Sequence, residues 1–561
     1  MIINRARKQL FNLIDPQQYR FVHVCRQCGQ PHFRQDSRTD FACTQCAAAD
    51  AYDTAPFYNP QHDYALDADF YAITMMYALW KQNLHRTKVV FDDFYRKTPF
   101  VKRVGDYSGE LGGYVAFGGL GHLIEIIENL YFNEDDLAYL REREEHFDEA
   151  FLDELRELRF SGDLYAIEEG NLVFPNTPFI RIEAPIWECV WIEAMLLNTI
   201  NSESLLLTKA SRIVTAAGED PLLEMGKRRA QGRDASVYGA KMAYIAGFQA
   251  TSNVKAGKQF GLPITGTQAH LYIMFHPSEL EAFLSYANVF PEKTMLLLDT
   301  TDTLGSGLPH AIETAKALEK RGYRLIGVRL DSGDLAYLSK EVRKRLDEEG
   351  LDYVKIAATN DLDEYTITSL KQQGARIDIW GVGTKLITAY DQPALGGVHK
   401  IVARKPFQDE EMADGTRYTY DDWVALIKIS ENLEKVLNPG RKKVYRLYDQ
   451  QGKAKGDYIC LEHESLDGKT EIVLRHPTNP LKSKRVRDFT SVELLVPIYE
   501  QGELVYKVPD LDTAREYHQK QKKTFWDEYL RLEVPEVYPV ALSDELRRLK
   551  ESLILEHSKE R

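Results

Sequence analysis

From about residue 230 to residue 400 the sequence alternates short apolar strands with helices, and this alternation restricts the fold more than any other feature. The predicted strands are TMLLLD, YRLIGVRLD, YVKIAAT and IDIWGVG. Helical segments such as HAIETAKALEKRG and LAYLSKEVRKRLDEEG follow the first three strands. A spacing of roughly 25 to 30 residues predicts parallel βα units. They belong either to a βα barrel or to an open doubly wound sheet.

The composition is that of a folded, acidic protein. Of the 561 residues, 44% are hydrophobic, which allows full-sized cores in several domains. The formal net charge of −14 repels nucleic-acid phosphates and anionic membranes, so we expect neither as a partner. No long uncharged apolar run or signal peptide is visible. With only six cysteines, the expected location is the cytoplasm.

Four of the six cysteines lie near the N-terminus in a pattern typical of a zinc site. Cys25 and Cys28 form one CxxC turn, and Cys43 and Cys46 form a second. Four thiolates give Zn²⁺ a complete tetrahedral coordination with no open position for catalysis. The spacing therefore predicts a structural, zinc-ribbon-like module over residues 1–55. A redox pair and chance clustering are the alternatives.

Polar residues follow the predicted strands, at the end where a parallel βα sheet builds its ligand site. Carboxylates beside hydroxyls suit a magnesium-bound sugar phosphate, and a Gly-Val-Gly-Thr run offers backbone N–H groups to a phosphate. A strand arginine such as Arg329 needs an anionic partner. The alternative is that these residues only cap the helices that follow. The set comprises Asp299, Asp302, Arg329, Asp331, Ser332, Gly333, Asp334, Thr359, Asn360, Gly381, Gly383 and Thr384.

Two segments upstream of these strands also carry candidate chemistry. The basic run Lys227–Arg229 either clamps a pyrophosphate or forms an exposed helix end. The segment GTQAH predicts a tight turn that presents His270 at a strand end. A histidine there is a base, a metal ligand, a phosphoryl acceptor or a structural residue. The chain has no Walker-type phosphate loop, so any ATP must be bound in another way.

Long segments in a fixed order give the chain a family resemblance. They include LEMGKRRAQGRDASVYGAKMAYIAGFQATSNVKAGKQFGLPITGTQAH, GVRLDSGDL, the stretch from GVGTKLITAY through QPALGGVHKIV, and LEKVLNPGRKKVYRLYD. Together they resemble the nicotinate phosphoribosyltransferases from about residue 60 to near the end. Typical members begin near residue 60, so the four-cysteine module looks like an addition.

The resemblance implies a type II phosphoribosyltransferase fold, which is an α/β fold with an incomplete βα barrel. The barrel with the catalytic site is expected over residues 186–399. A discontinuous α/β sandwich domain is expected to combine residues 56–185 with residues 400–490. A helical C-terminal segment is expected over residues 491–561.

The implied reaction joins nicotinate to phosphoribosyl pyrophosphate and gives nicotinate mononucleotide and pyrophosphate. ATP hydrolysis is coupled to it through a phosphorylated histidine, which by the GTxAH motif is His270. Mg²⁺ as a cofactor and a homodimer are also implied. The alternatives are a nicotinamide-using relative, which suits Arg329 less well, and a catalytically silent, zinc-bearing interaction protein on the same scaffold.

The resemblance assigns roles to residues around the phosphoribosyl donor. Arg228 and Arg229 are implied to neutralise the departing pyrophosphate. Asp299, Asp331 and Asp334 are implied to hold the ribose hydroxyls and magnesium.

The resemblance also implies which residues contact the pyridine base and which contact the 5-phosphate. Tyr71, in the DADFYAITM segment, is implied to stack on the pyridine ring. Thr267 and Arg329 are implied to hold nicotinate, with Arg329 pairing to its carboxylate. Gly381, Gly383 and Thr384 are implied to hold the 5-phosphate, and Ser332 is a further predicted contact to substrate.

Overall fold

The computed structural model of the protein describes most of the chain from residue 64 onward and three short segments before it. The described ranges are 21–25, 31–34, 52–56, 64–101, 111–407, 410–411, 417–419, 421–429, 436–475 and 483–559. They form two compact units, which comprise residues 1–85, 124–160 and 190–195, and residues 86–123, 161–189 and 196–561. No helix in these ranges is long and apolar enough to cross a membrane.

The second unit contains a six-stranded parallel sheet that forms an incomplete barrel. Every neighbouring pair of strands in it runs parallel. Its strands are short and their inward residues are buried, which explains their continuous apolar runs. From one edge to the other the order is Ala250–Thr251, Leu222–Glu224, Ile379–Val382, Lys355–Ala358, Gly327–Leu330 and Met295–Leu297.

The four strands predicted from the alternating pattern are the last four of this sheet, so the predicted parallel βα units are confirmed. Helices Leu308–Glu319 and Leu335–Glu348 correspond to the predicted helical segments. The second of them packs against the strands on either side of it in the chain, Gly327–Leu330 and Lys355–Ala358. Of the two folds that the alternation allowed, the sheet is the barrel type: it is a curled half-barrel whose outer strands are Ala250–Thr251 and Met295–Leu297.

Antiparallel sheets make up most of the remaining strand structure. A seven-stranded sheet has the order Val424–Ala425, Gly397–Arg404, Lys88–Tyr95, Ile180–Pro185, Asp163–Ala166, Val496–Glu500 and Glu503–Leu504. A four-stranded sheet, with one parallel pair, has the order Thr490–Glu493, Lys442–Tyr448, Ala454–Leu461 and Val540–Leu542. Strand pairs join Val115–Ala116 to Leu172–Val173, Glu410–Glu411 to Arg417–Tyr418, and Glu471–Arg475 to Ser483–Arg487.

The N-terminal region contributes a three-stranded antiparallel sheet in the order Pro31–Arg34, Phe21–Cys25 and Tyr52–Pro56. Cys25 is the last residue of the central strand. Cys28, Cys43 and Cys46 lie outside the described residues, as do the side chains of this sheet. The zinc module therefore stays a prediction, as do the domain boundaries.

Helices occupy much of the rest of the described chain. The remaining α-helices are Phe70–Lys81, Leu120–Glu128, Glu134–Arg141, Glu149–Glu157, Ile186–Ala217, Arg233–Ala246, Val254–Phe260, His270–Phe275, Glu279–Val289, Glu364–Gln372, Thr384–Ile387, Leu511–Thr524, Asp527–Leu530 and Asp544–Lys559. Lys227–Arg229 forms a 3-10 turn and Thr303–Gly307 a π-helical turn.

Two local predictions differ from the structure. His270 was expected at a strand end, but it is the first residue of helix His270–Phe275, after an extended residue Ala269. The apolar residues that follow it have helical spacing, which explains the difference. The segment DADFYAITMMYALW predicts a helix capped by Asp67, but the residue at the cap position is Asp69.

Candidate active site

The candidate site lies at the carboxyl end of the parallel half-barrel. Because all its strands point the same way, the residues that follow them meet at one edge of the sheet. Asp299 follows Met295–Leu297, Asp331 follows Gly327–Leu330, Thr359 follows Lys355–Ala358, and Gly383 follows Ile379–Val382. All of these residues belong to the second compact unit.

The structure divides the predicted carboxylates into two groups. The Asp334 side chain accepts a hydrogen bond from the backbone N–H of Tyr337 at 3.0 Å and caps helix Leu335–Glu348. Asp302 caps the turn Thr303–Gly307 in the same way. For these two residues the capping interpretation holds. Asp299 and Asp331 cap nothing and instead face the site.

Asp299, Asp331 and His270 form a compact cluster. One ligand atom from each lies within 4.8 Å of the others. His270 Nε2 is 3.4 Å from Asp299 Oδ1, and the Asp299 side chain is only 3% exposed. The hydroxyl of Ser332 donates to Asp299 Oδ2, and that of Thr359 donates to Asp331 Oδ1. These hydroxyls fix the two carboxylates while leaving other oxygen lone pairs free.

The free oxygens suit a magnesium ion. Asp299 Oδ1 is buried and has no hydrogen-bond partner in the part of the chain that the structure describes. Mg²⁺ prefers carboxylate oxygens and usually completes its shell with water and substrate phosphate. The pair Asp299 and Asp331, whose oxygens lie close together, therefore fits this ion, whereas Asp334 caps helix Leu335–Glu348.

Arg329 lies in the same region and contacts Thr267, the other residue assigned to nicotinate. Its Nη1 donates a hydrogen bond to Thr267 Oγ1. Burial lowers the pKa of the Arg329 guanidinium, although Asp331 and Asp299 act to raise it. A guanidinium held in this way is short of negative charge and suits an anionic ligand such as a carboxylate.

The cationic run Lys227–Arg229 forms a turn directly after strand Leu222–Glu224, and its residues are exposed. Sequence reasoning missed the residue that holds this turn, Glu224. Its buried carboxylate accepts hydrogen bonds from the Gly226 N–H and from Thr251 Oγ1. Burial raises the pKa of Glu224, while those two hydrogen bonds act to lower it. The sequence signal was an acidic residue at the end of an apolar strand.

The glycine-rich segment after strand Ile379–Val382 has a packing role as well as a possible phosphate role. A Cβ on Gly381 would lie 2.6 Å from Thr359 Cγ2 and 2.8 Å from Met225 Sδ. Gly381 is therefore required by the close approach of its neighbours. Gly383 and Thr384 start the short helix Thr384–Ile387, and their contact with phosphate stays a prediction.

Tyr71 belongs to the first compact unit and is largely exposed near the start of helix Phe70–Lys81. Its hydroxyl donates to the Glu193 carboxylate at 3.2 Å. Partial burial and then the Glu193 charge raise the pKa of the Tyr71 phenol. Its stacking on a pyridine ring stays a prediction.

Several buried polar atoms in the site segments have no hydrogen-bond partner among the described residues. Arg329 Nε, Asp299 Oδ1, Thr300 Oγ1 and both amide atoms of Gln268 have no hydrogen-bond partner among the described residues. A buried polar group without a partner costs about 1–3 kcal/mol, so such groups are rare unless something else satisfies them. Gln268 and Thr300 were not predicted as site residues, since neither shows a pattern of its own in the sequence.

Comparison with known proteins agrees with this arrangement. Three family models match the chain: the nicotinate phosphoribosyltransferase N-terminal domain over residues 66–201, the nicotinate phosphoribosyltransferase family over residues 221–404, and the C-terminal domain over residues 441–550.

Individual relatives match almost end to end. The nicotinate phosphoribosyltransferase of Bacillus subtilis is 45% identical over 482 residues, which are 86% of this chain and 93% of the relative. The nicotinate phosphoribosyltransferase of Dictyostelium discoideum is 35% identical over 533 residues. The match covers 85% of this chain and 86% of the relative. The crystal structure of human nicotinic acid phosphoribosyltransferase superposes with a TM-score of 0.73 at 28% identity, covering 87% of this chain and 99% of the human chain. The chain therefore belongs to the nicotinate phosphoribosyltransferase family.

Proposed function

We propose that the chain joins nicotinate to phosphoribosyl pyrophosphate, releasing pyrophosphate, and couples this reaction to ATP hydrolysis through a phosphorylated His270. The observation that carries the proposal is one cluster that combines three kinds of group. They are an anion-seeking guanidinium at Arg329, free carboxylate oxygens at Asp299 and Asp331, and an accessible imidazole at His270.

In the proposed complex, Arg329 and Thr267 hold the nicotinate carboxylate, which directs the pyridine nitrogen toward the ribose. Asp299, Asp331 and Ser332 hold the ribose hydroxyls, and the two carboxylates also hold Mg²⁺. When bound, the ion supplies positive charge to the diphosphate. The C1–O bond breaks as the C1–N bond forms, and no protein nucleophile is needed. Catalysis comes from orientation and from stabilising charge on the leaving diphosphate.

The cations Arg228 and Arg229 are proposed to receive the leaving pyrophosphate. They are exposed on a turn at the same edge of the half-barrel. Arg228 is near enough to Arg329 for its charge to act on the Arg329 pKa, in the direction that lowers it. The proposed 5-phosphate site consists of the backbone N–H groups around Gly381, Gly383 and Thr384.

His270 is proposed to accept the γ-phosphoryl group of ATP. A nitrogen–phosphorus bond forms at the imidazole, the bond to the β-phosphate oxygen breaks, and ADP leaves. The His270 side chain is 41% exposed, which leaves room for a nucleotide, and Asp299 lies against its Nε2. The phosphoryl group adds roughly two negative charges that can organise the nearby cations. Hydrolysis of this group then returns the free histidine.

A homodimer is proposed because apolar residues beside His270 are unusually exposed. Leu271, Met274 and Phe275 lie on the helix that His270 begins, and Phe275 is 86% exposed. Apolar patches of this kind mark protein interfaces. Sedimentation velocity should give a dimer for the full chain, and replacing Phe275 with Ser should shift the equilibrium toward monomer.

We also propose a structural Zn²⁺ on the four N-terminal cysteines, which metal analysis of the purified protein tests. A cytoplasmic location is proposed as well.

The central experiment follows the phosphoryl group and the product together. With γ-labelled ATP, the wild type should carry label on histidine, and ATP should raise nicotinate mononucleotide formation. The variant His270→Ala should lose both the label and the stimulation. The matched control is His276→Ala, because the His276 ring bonds the Tyr272 carbonyl at 2.8 Å and packs against the Tyr272 and Phe275 rings, and it is not part of the carboxylate cluster. Label persisting on the His270→Ala protein would contradict the assignment.

The choice of base is measured in the same assay. Nicotinamide has no carboxylate for Arg329, so its kcat/KM should be at least about tenfold lower than that of nicotinate. Equal values for the two bases would favour the nicotinamide-using alternative. Absence of product with either base would favour the catalytically silent alternative.

A further inference from the structure

Gln268 is a buried side chain for which the described protein provides no hydrogen bond. It is 4% exposed, and neither its amide nitrogen nor its amide oxygen has a partner among the described residues. The amide has two N–H donors and an acceptor oxygen, so the Gln268 side chain could make several hydrogen bonds that the described residues do not provide. Buried side chains of this type normally bond to protein, to ordered water or to a ligand.

The position of Gln268 in the chain favours a ligand. The residue before it, Thr267, accepts a hydrogen bond from Arg329 Nη1. Two residues after it, His270 lies 3.4 Å from Asp299 Oδ1. Gln268 is thus flanked on both sides by residues that contact the site. Arg329 Nε and Asp299 Oδ1 are also buried without a hydrogen-bond partner among the described residues, so several residues of the cluster could bond to a ligand.

We infer that the Gln268 amide is a further binding residue for nicotinate, with Nε2 donating a hydrogen bond to the carboxylate that Arg329 holds. The inference rests on the proposed role of Arg329. A carboxylate accepts at about four lone-pair positions on its two oxygens, so a guanidinium on one side leaves others open. Thr267 directly precedes Gln268 and is itself bonded to Arg329, which favours this end of the substrate over the ribose.

Gln268 also contributes to the choice of base in this arrangement. An amide can turn its oxygen outward, so the side chain accepts from a carboxamide as readily as it donates to a carboxylate. A glutamate at the same position offers only acceptors at neutral pH and repels a carboxylate. The amide therefore adds affinity for the acid without excluding the neutral base, and Arg329 supplies the charge preference.

The test compares Gln268→Met, Gln268→Glu and Arg329→Gln with the wild type in the full chain. KM for nicotinate, KM for phosphoribosyl pyrophosphate, kcat and the Tm of the ligand-free protein are measured. The matched control is Gln521→Met. Gln521 also has a buried amide oxygen with no hydrogen-bond partner among the described residues, but it lies in helix Leu511–Thr524.

For Gln268→Met we expect the KM for nicotinate to rise about tenfold or more, since a hydrogen bond to a charged group is lost. The KM for phosphoribosyl pyrophosphate should stay within about twofold. The Tm of the ligand-free protein should stay equal or rise, because an unsatisfied amide is removed. Gln268→Glu should raise the nicotinate KM further and shift the preference toward nicotinamide. The Gln521→Met control should leave both KM values unchanged.

Three outcomes would overturn the inference. The first is an unchanged nicotinate KM in Gln268→Met while Arg329→Gln raises it, which leaves the Arg329 assignment standing. The second is a lower Tm in Gln268→Met with both KM values unchanged, which makes Gln268 a structural residue. The third is a change confined to the phosphoribosyl pyrophosphate KM. If Arg329→Gln also leaves the nicotinate KM unchanged, the proposed carboxylate site itself is wrong.

Discussion

Two buried polar clusters in the second compact unit differ in how completely their hydrogen bonds are formed. One surrounds Arg446 in the four-stranded sheet, and the other surrounds Arg329 at the end of the half-barrel. The Arg446 guanidinium donates to both oxygens of Asp457, to Asn171 Oδ1 and to the Leu172 carbonyl, at 2.7 to 2.9 Å. Tyr538 also donates to Asp457 Oδ1.

The pKa shifts of the two arginines have opposite signs. Burial acts to lower the pKa of Arg446, but the Asp457 charge and hydrogen bonds outweigh it, and the pKa is raised. At Arg329 burial prevails over the opposing charges of Asp331 and Asp299, and the pKa is lowered. The comparison separates a buried cluster whose own carboxylate balances the guanidinium from one that could accept the negative charge of a ligand.

The largest effect should come from breaking the complete cluster. Arg446→Met leaves Asp457 buried without its cation, and we expect a loss of about 3–5 kcal/mol in the free energy of unfolding. Urea denaturation measures this loss, and the protein that remains folded should keep its nicotinate KM. The double variant Arg446→Met, Asp457→Asn is the control, since it removes the stranded charge and should recover part of the loss. A change below about 1 kcal/mol in the single variant would contradict this account.

Completing the incomplete cluster should stabilise the protein. A ligand that binds only the folded state adds about 2.7 kcal/mol at a hundred times its Kd. Phosphoribosyl pyrophosphate with Mg²⁺ should therefore raise Tm in a thermal-shift assay. Asp299→Asn should reduce the shift while the Tm of the ligand-free protein changes little, because the asparagine oxygen can still accept the hydrogen bond from Ser332. An equal shift in the variant would exclude Asp299 from the donor site.

A third buried cluster is built around a neutral His518, which is bonded at both ring nitrogens. His518 Nδ1 lies 2.7 Å from the Gly170 carbonyl, and Nε2 lies 3.0 Å from Ser211 Oγ. The carbonyl can only accept, so Nδ1 carries the proton and Nε2 accepts from the serine. Burial lowers the pKa of His518 to about 3, with the Lys522 charge acting in the same direction.

This cluster should weaken as the pH falls. Unfolded histidine binds its proton near pH 6.5 and folded His518 only near pH 3, so between these values the unfolded state holds more protons. The free energy of unfolding should therefore fall below about pH 6.5, by about 2 kcal/mol from this residue at pH 5. The measurement is urea denaturation at pH 7 and pH 5 for the wild type and for His518→Gln. From pH 7 to pH 5 the free energy of unfolding should fall less in the variant than in the wild type.

The pH dependence of wild-type stability also contains a contribution from Glu188, so the effect of His518 is isolated only by comparison with His518→Gln. Burial raises its pKa to about 7, although hydrogen bonds from Ser161 act to lower it. Its folded form thus binds more protons than the unfolded form between about pH 4.5 and pH 7, and it opposes His518 in that window. The wild-type slope alone is therefore not diagnostic. Identical slopes in wild type and His518→Gln would contradict the assignment to His518.

The sequence predicted the half-barrel well because its signal is local. Each βα unit repeats a buried strand, a polar strand end and an amphipathic helix, and parallel strands bring the polar ends together without further information. Asp299, Asp331, Ser332 and Arg329 could thus be placed in one region from their positions alone. The grouping of Thr267 with Arg329 came from the family resemblance, and no local pattern would have predicted it.

The sequence could not separate cap from ligand among residues of the same type. Asp331 and Asp334 lie three residues apart after one strand, yet one faces the site and the other caps a helix. The difference depends on which donors each carboxylate reaches. Asp331 accepts from Thr359, which follows the neighbouring strand, whereas Asp334 accepts from a backbone N–H of its own helix. The helical start at His270 was missed because a strand end and a helix start share the same polar residues.

By itself the sequence determined the family, the parallel units and the residue types available for chemistry, since these follow from order and periodicity along the chain. Only the tertiary structure decided which polar groups are satisfied. Gln268 shows the physical reason, because hydrogen-bond satisfaction depends on distances and burial among segments remote in sequence. In the letters GTQAH it is one polar residue among several, and only its burial without partners distinguishes it.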